Sequence, residues 1–220
     1  MKEIKNLNFD LLEIVKHFDL SHNENCEHLF MWLQVNYELD DFEQRILNDL
    51  YDEVSVSGEY MNEEEIKAKM VSLIFYASKV TEPKKISLFY ERAISGTVKN
   101  LSLSVICDCL IAMPRVNAPD VPYFFLQEAP SQPSPKGKEN FYKDKKDPEA
   151  QMLIAMILAQ HKNNDNKPIY GGYLLGTGWH FSTLIGNDYC ISRRFEASKK
   201  DDLAQIIYII RKLKALIINR

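Results

Sequence analysis

The chain has 220 residues, of which 45% are hydrophobic and 26% charged; this excludes an intrinsically disordered chain and fits an ordinary globular domain. The formal charge is −4, with 11 Lys/Arg against 19 Asp/Glu in residues 1–100 and 16 against 12 in residues 101–220, so a chain-wide basic field is excluded and any positive surface for nucleic acid must come from the second half. No 18-residue apolar run occurs, Met1-Lys2-Glu3-Ile4-Lys5-Asn6 lacks the apolar stretch of a secretory signal, and cysteines stand only at 26, 107, 109 and 190; the expectation is a reduced, cytoplasmic protein with no membrane segment.

The first ninety residues carry helical spacing. Phe9, Leu11, Leu12, Val15 and Phe18 mark one helix, and Leu29, Phe30, Trp32, Leu33 and Val35 a second. Phe42, Ile46, Leu47 and Leu50 mark a third, opened by Asp40 or Asp41 as N-cap. Asn62 caps a fourth, with Glu63, Glu64 and Glu65 in its first turn, a buried stripe of Ile66, Met70, Leu73, Ile74 and Ala77, and Pro83 as its latest end. From residue 86 strand formers take over, at 86–90, 97–112 and 122–128. Within 97–112, Leu101, Leu103, Val105, Cys107, Cys109 and Ile111 alternate onto one face; Ser102, Ser104, Ile106, Asp108 and Leu110 fall on the other. The segment 122–128 is almost wholly apolar, as for a strand covered on both faces.

A polar loop holding Pro130, Pro133, Pro135 and Gly137 follows, and Asp147-Pro148-Glu149 then starts a helix that runs to about Gln160. Strands are expected at 169–176, 179–185 and 189–195, with a turn at Gly186-Asn187-Asp188, and an amphipathic helix over 203–218 closes the chain. Helices, strands, one helix, more strands and a last helix predict a mixed α/β (α+β) domain.

Asp108 lies among Val105, Ile106, Cys107, Cys109, Leu110 and Ile111, and Glu128 ends the next apolar strand. A carboxylate inside an apolar strand is costly unless something pairs with it. Two neighbouring strands that deliver one acid each to a common point suit Mg²⁺ or Mn²⁺, which prefer hard oxygen ligands; the plain alternative is a turn acid and a strand-end acid in solvent.

The segments 62–67, 103–108, 124–128 and 147–151, followed by Tyr170-Gly171-Gly172-Tyr173 and Trp179-His180-Phe181, occur in an order that resembles the PD-(D/E)XK phosphodiesterase superfamily, and within it a bacterial branch of nucleases. The resemblance covers about residues 32–217. It implies a restriction-endonuclease-like core at 61–220, with a central mixed sheet holding 97–112 and 122–128, flanked by the helices at 62–80 and 147–160. Residues 1–60 would be a helical cap on the same unit. It also implies a Mg- or Mn-dependent phosphodiesterase acting on DNA. Asp108 matches the first metal-binding acid, Glu128 the second, and the carbonyl of Ala129 a third oxygen ligand. Glu63 matches the acid on the preceding helix, and Gln151 the polar residue on the following one. For Glu63 the plain alternative is a helix-start charge, and for Gln151 a partly buried side chain bonded to a loop carbonyl.

The departure is at the motif's lysine, since Glu-x-Lys reads Glu128-Ala129-Pro130 here. Three readings follow: Lys136, Lys138 or Lys143 enters the site from the loop; metal binding is retained with slow chemistry; or the chain is a catalytically inactive binding or interaction module on the same scaffold. His17, His22, Cys26 and His28 match no compact zinc spacing and read as structural. Cys107 and Cys109 read as core residues opposite Asp108, Gly171, Gly172, Gly176 and Gly178 as turn or bulge glycines, and Tyr170, Tyr173, Trp179 and Phe181 as sheet packing.

Overall fold

The computed structural model describes residues 10–116, 118–129 and 147–219. Helix α1 (Leu11–Phe18) leads into the short β1 (Ser21–His22), followed by α2 (Glu27–Leu33) and α3 (Asp41–Ser57). A short helix α4 (Glu63–Glu65) runs through a π-helical turn (Ile66–Val71) into α5 (Ser72–Ser78). Strands β2 (Ser87–Val98), β3 (Leu101–Arg115) and β4 (Ala118–Ala129) form an antiparallel meander. Helix α6 (Pro148–Asn163) then crosses over to β5 (Ile169–Leu175), which pairs parallel with β4. A second meander, β6 (Gly178–Ile185), β7 (Asp188–Ile191) and β8 (Phe195–Glu196), precedes α7 (Lys200–Ile218). The result is one eight-stranded mixed sheet in the order β1-β7-β6-β5-β4-β3-β2, with β8 on β6, flanked by helices on both faces.

Local chemistry sets the boundaries. The Asp10 carboxylate accepts the Leu12 N–H, and Asp40–Glu43 and Asn62–Glu65 form reciprocal capping boxes at α3 and α4. Asp147 accepts from Glu149 and Ala150, with Pro148 at the first helical position. Asp19, Lys79 and Asn164 close α1, α5 and α6 in the left-handed conformation.

The segment 97–112, expected as one strand, is interrupted. Lys99 and Asn100 (φ 46° and 64°) form a two-residue turn, and Val98 pairs with Leu101 across it, the twist that a tight hairpin needs. The expected strand at 189–195 is likewise two, β7 and β8. Gly171 and Gly172 are not bulge glycines, because β5 pairs without interruption on both sides. A Cβ on Gly171 would stand 2.7 Å from the Met156 sulfur of α6, and one on Gly172 2.9 Å from the His180 carbonyl. Close approach, not a turn, demands glycine there. Gly176 (φ 61°) does lie in the turn between β5 and β6.

Each face of the sheet has its own core. On one face α1 and α6 cover Phe89, Ile94, Leu103, Phe125, Ile169 and Leu184. On the other α2, α3, α5 and α7 cover Ile111, Phe124, Leu126, Leu174 and Phe181. Trp32 centres this second core, packing edge-on against Phe124, Tyr170 and Phe181 and donating its indole N–H to the Ile209 carbonyl at 2.9 Å. The helices before residue 60 thus divide between the two faces. Because α6 is apolar nearly all round, it is buried along most of its length between the sheet and α1. Cys26, at the start of α2, and Cys190 of β7 form a disulfide with Cα atoms 6.2 Å apart; this corrects the reading of a fully reduced chain and removes Cys26 from any zinc set. Local periodicity carries no signal for a pair 164 residues apart. Among the described residues no helix is long and apolar enough to cross a membrane.

Candidate active site

Asp108 occupies an irregular rung of the sheet. In β3, Leu103, Val105 and Cys107 face α6, but so do Leu110 and Ala112, whereas Cys109 and Ile111 face the other way. The strand therefore changes face at Asp108. The expected unbroken alternation from Leu101 to Ile111 is corrected, and the two buried cysteines lie on opposite faces. β2 makes the same change, since Phe89 and Ile94 share the α6 face. The cause is Glu91, held at φ 51° between the rungs Tyr90↔Cys109 and Arg92↔Cys107. A left-handed residue within a strand rotates the chain beyond it, as a bulge does. Glu91 and Asp108 thus stand across from each other where the pleat breaks, and Asp108 is half-buried there. Burial, with the charge of Asp108 second, pushes the Cys107 thiol up to about 12, which leaves it protonated and unreactive at neutral pH.

β4 runs beside this rung. Cys109 pairs with Leu126, and the Gln127 amide donates to the Ile106 carbonyl at 3.2 Å. Beyond Leu126 the backbone pairs with β5 as Gln127↔Tyr173, Glu128↔Leu174 and Ala129↔Leu175. Asp108 is one residue and Glu128 two residues from the Cys109–Leu126 rung, so the backbones of the two sequence-predicted acids are brought together on adjacent strands. The side chains of Glu128 and Ala129 lie outside the described residues, as do Pro130, Lys136, Lys138 and Lys143. Glu63 is the exposed first residue of α4, and Gln151 is a half-buried residue in the first turn of α6. The helices that carry them pack on opposite faces of the sheet. Among the described residues no group of three or more His, Cys, Asp or Glu forms a metal-holding cluster.

Two features were not anticipated from sequence. The first is the ion pair between Lys67, in the π-helical turn, and Glu91 on the broken rung. The faint sequence signal for it is a lysine directly beside Ile66 in a buried stripe. The second is a polar cluster on the α6 face. The Tyr173 hydroxyl donates to the Glu149 carboxylate at 3.0 Å, and the Tyr173 ring stacks on His180 with centroids 4.7 Å apart. Nδ1 of His180 lies 3.4 Å from the Ser192 carbonyl. Burial raises the pKa of Glu149 against the opposing Tyr173 hydrogen bond. Burial, then the Glu149 charge, raises that of Tyr173, and burial lowers that of His180. Glu149 reads in sequence only as a helix-start acid and Tyr173 only as packing; nothing in their spacing announces the bond between them.

No protein-family model and no curated protein matches this chain.

Proposed function

We propose that the chain is a metal-dependent phosphodiesterase of the PD-(D/E)XK type that cleaves DNA. The observation that carries this reading is the half-buried Asp108 on a strand adjacent to the backbone position of Glu128. A helix, an antiparallel three-stranded meander, a crossover helix and a parallel strand, in that order, support a restriction-endonuclease-like core. The donor set, two carboxylates with a backbone carbonyl from Ala129, is all hard oxygen and fits Mg²⁺ or Mn²⁺. Such an ion, when bound, polarises a phosphoryl oxygen and acidifies water. Asp108 and Glu128 would hold the cation, and the adjacent strands β3 and β4 fix their backbones. Glu63 and Gln151 contact water or the nucleic-acid strand from the two flanking helices.

Pro130 in place of the motif lysine favours a second reading, a catalytically inactive binding module on the same scaffold. Cleavage of plasmid DNA in Mn²⁺ and Mg²⁺, with calorimetric titration of Mn²⁺, separates the two. The nuclease reading expects cleavage and metal binding in the wild type, both lost in Asp108→Ala. Equal residual cleavage in both proteins signifies contamination and ends it. DNA binding without cleavage selects the module.

A further inference from the structure

We propose that the α6 face of the sheet carries a binding site for a primary ammonium group, built by Gln127, Glu149 and Tyr173 with His180 beside them. The site does not depend on the nuclease reading. Gln127 of β4 pairs with Tyr173 of β5, and Tyr173 pairs with His180 of β6. Phe125 and Tyr173 belong to the core beneath α6, so strand alternation sets Gln127 on that face as well. The three side chains thus form one polar row across three strands. Glu149 meets the row from the first turn of α6, through its bond to the Tyr173 hydroxyl. β4 and β5 are the parallel pair that α6 joins, and the row lies near their carboxyl ends, where open α/β sheets take their ligands.

Two unmet requirements show what the row lacks. Gln127 is 1% exposed, its amide nitrogen is spent on the Ile106 carbonyl of β3, and its Oε1 has no partner among the described residues. The Ile106 carbonyl fixes which end of the amide is nitrogen, so the unmet atom is an acceptor. A buried acceptor left unpaired is costly. Glu149 is a half-buried carboxylate, and the charges acting on it are Asp147, which opposes its ionisation, and His22. No lysine or arginine among the described residues balances it. The Tyr173 hydroxyl gives its proton to Glu149 and keeps only lone pairs. Nδ1 of His180 faces the Ser192 carbonyl and so carries the ring proton, which leaves Nε2 bare. The atoms left free in the row are therefore acceptors. Their complement is a positive ligand that only donates, and a primary ammonium offers three N–H groups and one charge. No group of three or more His, Cys, Asp or Glu forms a metal-holding cluster among the described residues, which favours the organic cation over a metal ion.

The test is calorimetric titration of the full chain with n-butylammonium at neutral pH and fixed ionic strength. The same titration is made with N,N,N-trimethylbutylammonium, which has the charge but no N–H, and with Mn²⁺. Saturable binding of n-butylammonium at a single site is expected. The trimethyl compound should bind about tenfold more weakly or worse, the loss for hydrogen bonds to a charged group. Glu149→Gln should weaken n-butylammonium by about tenfold or more, and Gln127→Met should weaken it by a smaller factor. Glu149→Gln keeps the acceptor for Tyr173, and circular-dichroism melting of both variants shows that they are folded, so a loss in either is a loss of binding. Equal affinity for the two amines, unchanged affinity in either variant, or no saturable binding in the wild type overturns the proposal. So does Mn²⁺ binding that Glu149→Gln abolishes, which would make the row a metal site.

Discussion

Glu149 is a carboxylate kept where ionisation is costly. Burial raises its pKa, and the proton-linked stability it gives is complete below the unfolded value, near 4.3, and lost as pH rises through the native value. At neutral pH the ionised form therefore weighs against folding, although Tyr173 donates to it. Glu149→Gln keeps an acceptor for Tyr173 and removes the charge. Its Tm is expected to exceed that of wild type at pH 7–8, with the advantage gone below about pH 4. Melting curves followed by circular dichroism across that range decide it, and a lower Tm for the variant at pH 8 contradicts the account. Glu43 works in the opposite sense. Burial raises its pKa, but hydrogen bonds from Lys79 and the Asp40 backbone and the charges of Arg211 and Lys79 outweigh this and lower it. Its contribution is present above the unfolded value and lost as pH falls. Glu43→Ala leaves Arg211, only 16% exposed, without its carboxylate, and is expected to cost about 2 kcal/mol in urea denaturation at pH 7. At this scale, Asp108 was conspicuous in the sequence because an acid in an apolar run is anomalous. Lys67 and Glu91 were not, because neither a helix lysine nor a strand acid is anomalous until the fold brings them together.

Among the elements, those with caps were legible and those with turns lacking glycine were not. Asp40, Asn62 and Asp147 each announce a helix start in sequence, and each caps one. The turn at Lys99-Asn100 has no glycine or proline, so the strand formers on either side merge into one apparent strand. The π-helical turn at Ile66–Val71 is also invisible, since one extra residue per turn barely disturbs the stripe of Ile66, Met70 and Ile74. β5 shows how tightly the elements pack: a Cβ on Gly171 would stand 2.7 Å from the Met156 sulfur and 3.0 Å from the Met152 side chain of the crossover helix, so those methionines must shift to admit a methyl group. Gly171→Ala is expected to destabilise by about 1–3 kcal/mol, read as a lower urea midpoint with an unchanged slope. An unchanged midpoint would mean that the methionines yield freely.

For the whole molecule, the α/β class followed from element order, but the sheet order and the Cys26–Cys190 link are long-range facts that local patterns do not encode. The link closes most of the chain, from the start of α2 to β7, and a cross-link over so long a loop restricts the unfolded state strongly. Cys190→Ser is expected to lower unfolding stability by about 2–4 kcal/mol. Reductant should lower wild type to the same level and leave the variant unmoved; a wild type indifferent to reductant would show that the link adds nothing. Finally, the broken rung bears on self-association. β2 is a 12-residue strand with no further strand beyond it among the described residues, and a long flat edge is a template on which other chains add strands and aggregate. The left-handed Glu91 interrupts that edge halfway along, and exposed Arg92 follows it. The distortion that brings an acid to face Asp108 therefore also breaks the regular row of backbone groups that a second strand would need to pair along the whole of β2.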